Sequence, residues 1–209
     1  LGESPDRVFI VGGLGVDTIK KSQLLSKKEL SKAIAFEFGK KNLLVTFHPV
    51  TLEKKTSEQH FQPLLDALDE LDDTNIIFTY PNADTDGRII TKMINDFVST
   101  HQENSICFSS MGHMNYMSSL QFVDAVVGNS SSGLLEGPTF KIGTINIGDR
   151  QEGRLKADSV INCDPSKEAI LGAFNKLYSK DFRKILKNVK NPYGEGYASD
   201  KILEVLKTA

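Results

Sequence analysis

The chain has no surplus of charge of either sign. Lys and Arg total 25 against 27 Asp and Glu, a formal net charge of -2. With no basic excess to neutralise phosphates, nucleic acid is excluded as a general partner. Cysteine is scarce: Cys107 and Cys163 are the only two, each within an apolar, strand-like run. Reduced thiols in a cytoplasmic core are the plainer reading, and a disulfide is the other. No apolar run approaches the ~20 residues needed to cross a bilayer, so no membrane partner is expected. The opening residues Leu1 to Asp6 lack the basic and apolar regions of a secretion signal. They also lack a Met, as expected of a segment that begins inside a longer protein. A P-loop, HExxH, CxxC and GxSxG are all missing. His60, His101 and His113 show no metal-ligand spacing, so neither a metal nor a cofactor is expected.

Ordinary proportions of hydrophobic (39%) and charged (25%) residues remain, enough for one domain with a full core. Short apolar runs alternate with amphipathic stretches. Val8–Val11, Leu43–Phe47, Ile76–Thr79, Ile106–Phe108, Ala125–Val127 and Thr144–Ile147 read as strands, with Val160-Ile161 as a short last one. Three- and four-residue spacing predicts helices through Leu64, Leu65, Leu68 and Leu71, and through Ile89, Ile90, Met93, Ile94 and Phe97. Asp84, Thr85 or Asp86 would be the N-cap of the second. Further helices are expected from about Lys27 to Lys40, Ser166 to Tyr178 and Ser199 to Lys207. Strands apolar on both faces with helices between them predict a Rossmann-like α/β domain over residues 1–209, its parallel sheet covered by helices on both faces. Ligands of such sheets bind at the carboxyl ends of the strands.

The unusual residues stand at those ends: Gly12-Gly13-Leu14-Gly15, His48-Pro49, Pro81-Asn82-Ala83-Asp84, and Gly128-Asn129-Ser130-Ser131-Ser132-Gly133-Leu134-Leu135-Glu136. The serine run leaves a strand and enters a helix, where free N–H groups attract an anion. Glu136 lies about one turn on. It would repel a phosphate but can accept hydrogen bonds from a ribose diol. Together they describe a nucleoside diphosphate site; serine capping beside a solvated Glu is the plain alternative. The glycine cluster lacks the third glycine of the dinucleotide fingerprint, leaving a tight turn that allows close approach to another domain. His48 is either structural or faces a ligand. Arg150 and Arg154 follow a strand end and suit bidentate phosphate contact, or are simple surface arginines. Asp84 and Asp86 read as loop and cap residues rather than an acid/base pair.

These motifs, with Asn146-Ile147-Gly148-x-Arg150-Gln151-x-Gly153-Arg154 and Asn191-Pro192-Tyr193-Gly194-x-Gly196-x-Ala198, resemble the hydrolysing UDP-N-acetylglucosamine 2-epimerases of sialic acid biosynthesis. The resemblance implies the C-terminal lobe of a glycosyltransferase-B type (GT-B) fold, with the N-terminal lobe absent. Non-hydrolysing relatives carry His-Arg-x-Glu and Asp-Ser-Gly-Gly at the places held here by His48-Pro49-Val50-Thr51 and by Asn129 to Gly133. The implied hydrolase reaction is anti elimination of UDP followed by addition of water, giving N-acetylmannosamine. By similarity, Ser130 and Ser131 hold the diphosphate, Glu136 the ribose, and the Met111 backbone meets the uracil. His48, as the catalytic candidate, lines the leaving-group side with Asn82 and Arg150. The acid/base carboxylates of the family belong to the missing lobe, so the fragment alone is expected to be inactive. Ser109 and Ser110 stand where animal relatives carry residues that bind a feedback inhibitor. The implied partners are a UDP-sugar and the N-terminal lobe, with a homo-oligomer at full length. UDP-N,N'-diacetylbacillosamine is an alternative substrate. A glycosyltransferase lobe and a non-catalytic nucleotide-binding module are alternative functions.

Overall fold

The computed structural model describes residues 2–49, 57–82 and 85–208. Among these, six strands form one parallel sheet: β1 (Lys41–Thr46), β2 (Thr74–Thr79), β3 (Ser105–Phe108), β4 (Ala125–Gly128), β5 (Gly143–Ile147) and β6 (Val160–Cys163). Their order is β3-β2-β1-β4-β5-β6. The chain runs outward from β1 in one direction and then returns to extend the other side from β4. The carboxyl ends of β1 and β4 therefore flank the switch point, where the flanking loops diverge and leave a crevice.

Alternation along each strand divides the core. Leu43, Val45, Ile76, Phe78, Val127 and Ile145 face one layer, with Phe61, Leu64, Ile90 and Phe174. That layer comes from α3 (Ser57–Leu68), α4 (Thr85–Thr100), α8 (Lys167–Leu177) and α9 (Lys180–Asn188). Leu44, Ile77 and Val126 face the other way, against Leu30, Ile34 and Leu120, from α2 (Lys27–Ile34) and α5 (Gly112–Ser119) with its following turn. Side chains packed on both faces explain why these strands read as unbroken apolar runs. The helices begin with their own caps: Ser26 forms a capping box with Glu29, and Ser166 and Ser179 accept from Ala169 and Phe182.

The structure corrects the expected first strand and the length of the helix that follows it. Val8 to Val11 forms no strand: Val8, Phe9 and Ile10 are exposed, Ile10 at 95%. A strand needs a neighbouring edge, and none of the described strands lies beside this run. The helix expected from Lys27 to Lys40 stops at Ile34, because Ala35 turns left-handed at φ 51°. Beyond it, apolar and polar residues alternate, and Phe36 and Phe38 turn inward, edge to face at 5.7 Å. The glycine turn at 12 and 13 lies close to a backbone of this chain: Gly13 N–H donates to the Tyr193 carbonyl at 2.7 Å. α1 (Leu14–Lys21) follows, unanticipated, and pairs with α10 (Ala198–Thr208). Buried Asp17 of α1 accepts from the N–H groups of Ala198 and Ser199 and from the Ser199 hydroxyl, which ties the two helices together. Cys107 and Cys163 are free and lie on the two edge strands, so the disulfide reading falls. Asp84 lies outside the described residues.

Candidate functional site

β4 ends on Gly128, whose φ of +125° suits glycine alone. A Cβ there would lie 2.0 Å from the Thr46 carbonyl. The absence of that Cβ lets β1 and β4 leave the sheet side by side, and Asn129 fastens them. Its Oδ1 accepts from His48 N–H at 2.7 Å, and its Nδ2 donates to the His48 carbonyl at 2.8 Å. The Asn129 carbonyl in turn accepts from Gln151 Nε2 at 2.7 Å and Arg150 Nη1 at 3.1 Å. One asparagine thus ties the loops after β1, β4 and β5. Only its hydrogen bonds, invisible in the sequence, mark it as a hub.

Two cavities flank this hub. One, of about 340 Å³, is walled by the ends of β1 to β4 and their loops, including Thr46, Thr79, Met111, Tyr116, Ser130 and Ser132. Thr46 and Thr79 join hydroxyls across its floor at 2.5 Å. The other, of about 580 Å³, opens toward β5 and β6, with Phe47, Asn129, Ile147, Lys156, Asn162 and Asp164 in its wall. Asn129 lines the larger and Ser130 the smaller, so successive residues of one loop face the two spaces.

The helix after the serines is a single turn, α6 (Ser132–Leu135), and Glu136 separates it from α7 (Gly137–Phe140). So short a helix adds little macrodipole, and an anion here would depend on the local N–H and hydroxyl groups. Ser131 occupies the N-cap but makes no side-chain cap bond. Ser130 Oγ accepts only a long 3.4 Å contact from Ser132 N–H. Gly133 allows the loop to pack, since a Cβ would sit 2.4 Å from Thr144 Cγ2. Thr144 Oγ1 donates to the Gly133 carbonyl at 2.7 Å.

Glu136 is half-buried rather than solvated. Burial pushes its carboxyl above the usual glutamate range, while Ser132, its own N–H and His113 pull the other way. Beside it, burial pushes the Tyr116 hydroxyl up to about 12, with the Glu136 charge adding to the rise. A Cβ on Gly15 would come within 3.5 Å of Glu136 Oε1. The glycine turn and the ribose candidate, 121 residues apart in the chain, are neighbours in the fold.

Met111 lies buried in the smaller cavity's wall, with Ser130 beside it across the opening. His48 is half-buried at the exit of β1, its backbone locked by Asn129. Arg150 follows β5 and is exposed; its guanidinium, donating to the Asn129 carbonyl, is partly desolvated, and this, then Arg154, disfavours its positive charge. Asn82 is exposed and belongs to neither cavity's described wall. Pattern reading missed Tyr116, Thr46 and Thr79. The two threonines end buried strands and are the only signal that could have found them. No metal-holding group of His, Cys, Asp and Glu occurs among the described residues.

The sequence pattern of the family described as UDP-N-acetylglucosamine 2-epimerase matches residues 1–207. The GDP/UDP-N,N'-diacetylbacillosamine 2-epimerase (hydrolyzing) of Campylobacter jejuni is 40% identical over 88% of this chain and 47% of its own length. The polysialic acid biosynthesis protein P7 of Escherichia coli is 33% identical, covering 99% of this chain and 52% of its own. The chain therefore spans about half the length of these curated relatives. Among solved structures, MnaA of S. aureus in complex with UDP superposes with a TM-score of 0.76 at 18% identity, over 99% of this chain and 55% of that one. The parallel α/β sheet that the strand pattern predicted is thus the arrangement of GT-B type epimerases, as the resemblance implied, and the chain belongs to the UDP-N-acetylglucosamine 2-epimerase family.

Proposed function

We propose that this chain is the nucleotide-binding, C-terminal lobe of a hydrolysing UDP-sugar 2-epimerase, and that an N-terminal lobe completes the active site. The observation that carries the reading is the grouping of three features around one crevice, Met111 and the serines in its wall and Glu136 behind them against the lining residues Ser132 and Tyr116. The three are a serine loop with little internal use for its hydroxyls, a half-buried carboxylate one turn on, and a separate buried wall at Met111. Ser130 and Ser131 hold the diphosphate, Glu136 accepts from the ribose hydroxyls, and the Met111 backbone meets the uracil. His48, Asn82 and Arg150 serve the leaving-group side. A departing UDP gains negative charge, and donors fixed before the reaction stabilise it most as that charge develops. Elimination followed by hydration releases the free 2-epimeric sugar.

Two sugars compete for the role of substrate. UDP-N-acetylglucosamine, leading to N-acetylmannosamine and sialic acid, was the first expectation from motifs. The 40% identical relative is named for N,N'-diacetylbacillosamine, which favours the di-N-acetylated sugar; the protein P7 likeness keeps the first reading alive. Incubating the intact protein with each nucleotide sugar and identifying products by mass spectrometry separates them. Release of a free 2-epimerised sugar and UDP is expected. Transfer of the sugar to an acceptor would instead make the chain a glycosyltransferase lobe. The lobe alone is expected to bind UDP without turnover, and product release by the 209-residue chain would overturn the two-lobe reading. A cytoplasmic, homo-oligomeric enzyme is part of the same proposal.

A further inference from the structure

The near-zero net charge conceals a segregated one. From Lys176 to Lys190 the chain carries Lys176, Lys180, Arg183, Lys184, Lys187 and Lys190, all exposed, against Asp181 alone. Four of these, at 180, 183, 184 and 187, follow the i, i+3, i+4, i+7 spacing that aligns side chains on one helix face. They lie on the outer side of α9, whose inner side is fixed to the core by Phe182 and Leu186. The arrangement opposes the helix's own stability. Like charges three and four residues apart repel, and Lys180 at the first helical position meets the positive end of the dipole. Asp181 offsets part of this through Lys184 at 3.0 Å. Lys141, just before β5, continues the patch, donating to the Lys187 carbonyl at 3.0 Å. α9 sits at the amino end of the sheet: a Cβ on Gly143, the first residue of β5, would lie 3.5 Å from the Phe182 ring, and the Arg183 charge reaches Asp124, just before β4. The patch is therefore at the opposite end of the strands from the crevice.

We propose that this basic face of α9 rests on a bilayer surface rich in anionic phospholipid headgroups. The charge complementarity is one-sided and diffuse. Five of its six cations between 176 and 190 are lysines, point charges without arginine's bidentate fork. Among them only Ile185 is an exposed large hydrophobic, and no exposed aromatic ring is present for stacking on bases. These features suit lipid headgroups better than a nucleic acid. Docking here leaves the crevice facing away from the membrane. It is the lying-on mode of membrane contact and requires no spanning segment; no described helix is long and apolar enough to cross a membrane.

The test is co-sedimentation of the intact protein with vesicles of phosphatidylcholine alone or mixed with phosphatidylglycerol. Binding to the mixed vesicles only, abolished by high salt, is expected. Each cation near such a surface contributes roughly fivefold to partition, so K180Q/R183Q/K184Q/K187Q should lower binding by at least about a hundredfold. K27Q/K28Q/K32Q, on exposed positions of α2, controls for net charge and should leave binding within about threefold of the parent. Circular dichroism establishes that both variants fold; Lys→Arg at the same α9 positions, which keeps charge, must retain binding. Failure of the parent to bind mixed vesicles, equal binding to both vesicle types, or equal loss in the α2 and α9 variants would each overturn the proposal. So would a preference for a polyanion such as heparin over the vesicles.

Discussion

Replacing Glu136 by Gln tests the assignment on which the nucleotide site depends. The side chain is half-buried, and desolvation is the leading cause of its raised pKa. Ionised and without ligand, it is under-solvated; a ribose diol would return the missing hydrogen bonds. Two charge-assisted bonds of this kind contribute on the order of 1.5–3 kcal/mol each. The amide retains one acceptor oxygen, so a net loss of about 1.5–3 kcal/mol, or roughly ten- to a hundredfold in UDP affinity, is expected. Inorganic pyrophosphate has no ribose and should lose little. Ser130→Ala should weaken both ligands alike. The raised pKa also fixes a sign. A carboxyl whose folded pKa exceeds its unfolded value contributes stability at low pH and loses it as pH rises through the folded pKa. The ligand-free Gln variant should therefore melt slightly higher than the parent at neutral pH, although it binds UDP less well. Affinity of the parent for UDP should fall as pH drops through the raised range, while the variant's should stay flat. Calorimetric titration of both variants with both ligands decides the matter: equal losses for UDP and pyrophosphate in Glu136→Gln would remove the ribose assignment.

Three other substitutions have directions set by the geometry. Asn129→Asp keeps the acceptor for His48 N–H but cannot donate to the His48 carbonyl; a loss of about 1–3 kcal/mol in denaturant unfolding is expected, and UDP affinity should fall with it. Gly133→Ala drives a Cβ into Thr144 Cγ2 and should cost about 1–3 kcal/mol; adding Thr144→Ser, which removes that methyl, should restore part of it, and no restoration would refute the steric account. Asp17 is held at about pKa 2, chiefly by the Ser199 hydroxyl and N–H, so its contribution is present above the ordinary aspartate range and lost as pH falls through about 2. Asp17→Ala should speed amide exchange in α10 at neutral pH while leaving the sheet unchanged.

The sheet was legible because each of its strands is apolar on both faces, and parallel strands in a covered sheet must be. Leu43-Leu44-Val45 alone sends side chains into both core layers. The long stripes of α4 and α8 were visible for the same reason. α1 was hidden because it starts on a Gly13 cap and has Gly15, a poor helix former, in its first turn, and because its support comes from α10, far away in the chain. α5 carries Gly112, Asn115 and two serines, and shows no clear apolar stripe. Of the candidate site, the loop sequence pointed to Ser130 and Ser131 as anion-binding candidates and to Glu136 as the ribose candidate. It could not reveal that Asn129 binds three loops together, nor that Gly15 comes to rest beside Glu136. Those are facts of long-range approach, and composition near one position carries no trace of them.

The failed strand at Val8 to Val11 points outward rather than inward. Eight of the eleven large hydrophobic side chains exposed among the described residues are Val8, Phe9, Ile10, Leu14, Leu155, Tyr197, Leu203 and Leu206. Leu14, Tyr197, Leu203 and Leu206 lie on or beside two helices that pack together, with Leu155 close by. α1 packs on α10, Gly13 bonds to Tyr193, and the Tyr193 hydroxyl donates to the Leu155 carbonyl at 3.2 Å. Scattered exposed leucines need no explanation, but a joined apolar surface does. The chain spans about half of its curated relatives, and an N-terminal lobe seated here would cover this surface and supply a sheet edge for the unpaired run. On the proposed two-lobe reading, both the misread strand and the exposed face of α10 would have one physical cause, the surface that the N-terminal lobe covers. On that account, Leu203→Ser with Leu206→Ser should make the isolated chain less prone to self-associate in sedimentation velocity without changing its affinity for UDP. In the intact protein the same pair should raise KM or abolish turnover, because the lobes no longer close. Unchanged catalysis by the intact double variant would separate α10 from the proposed interface.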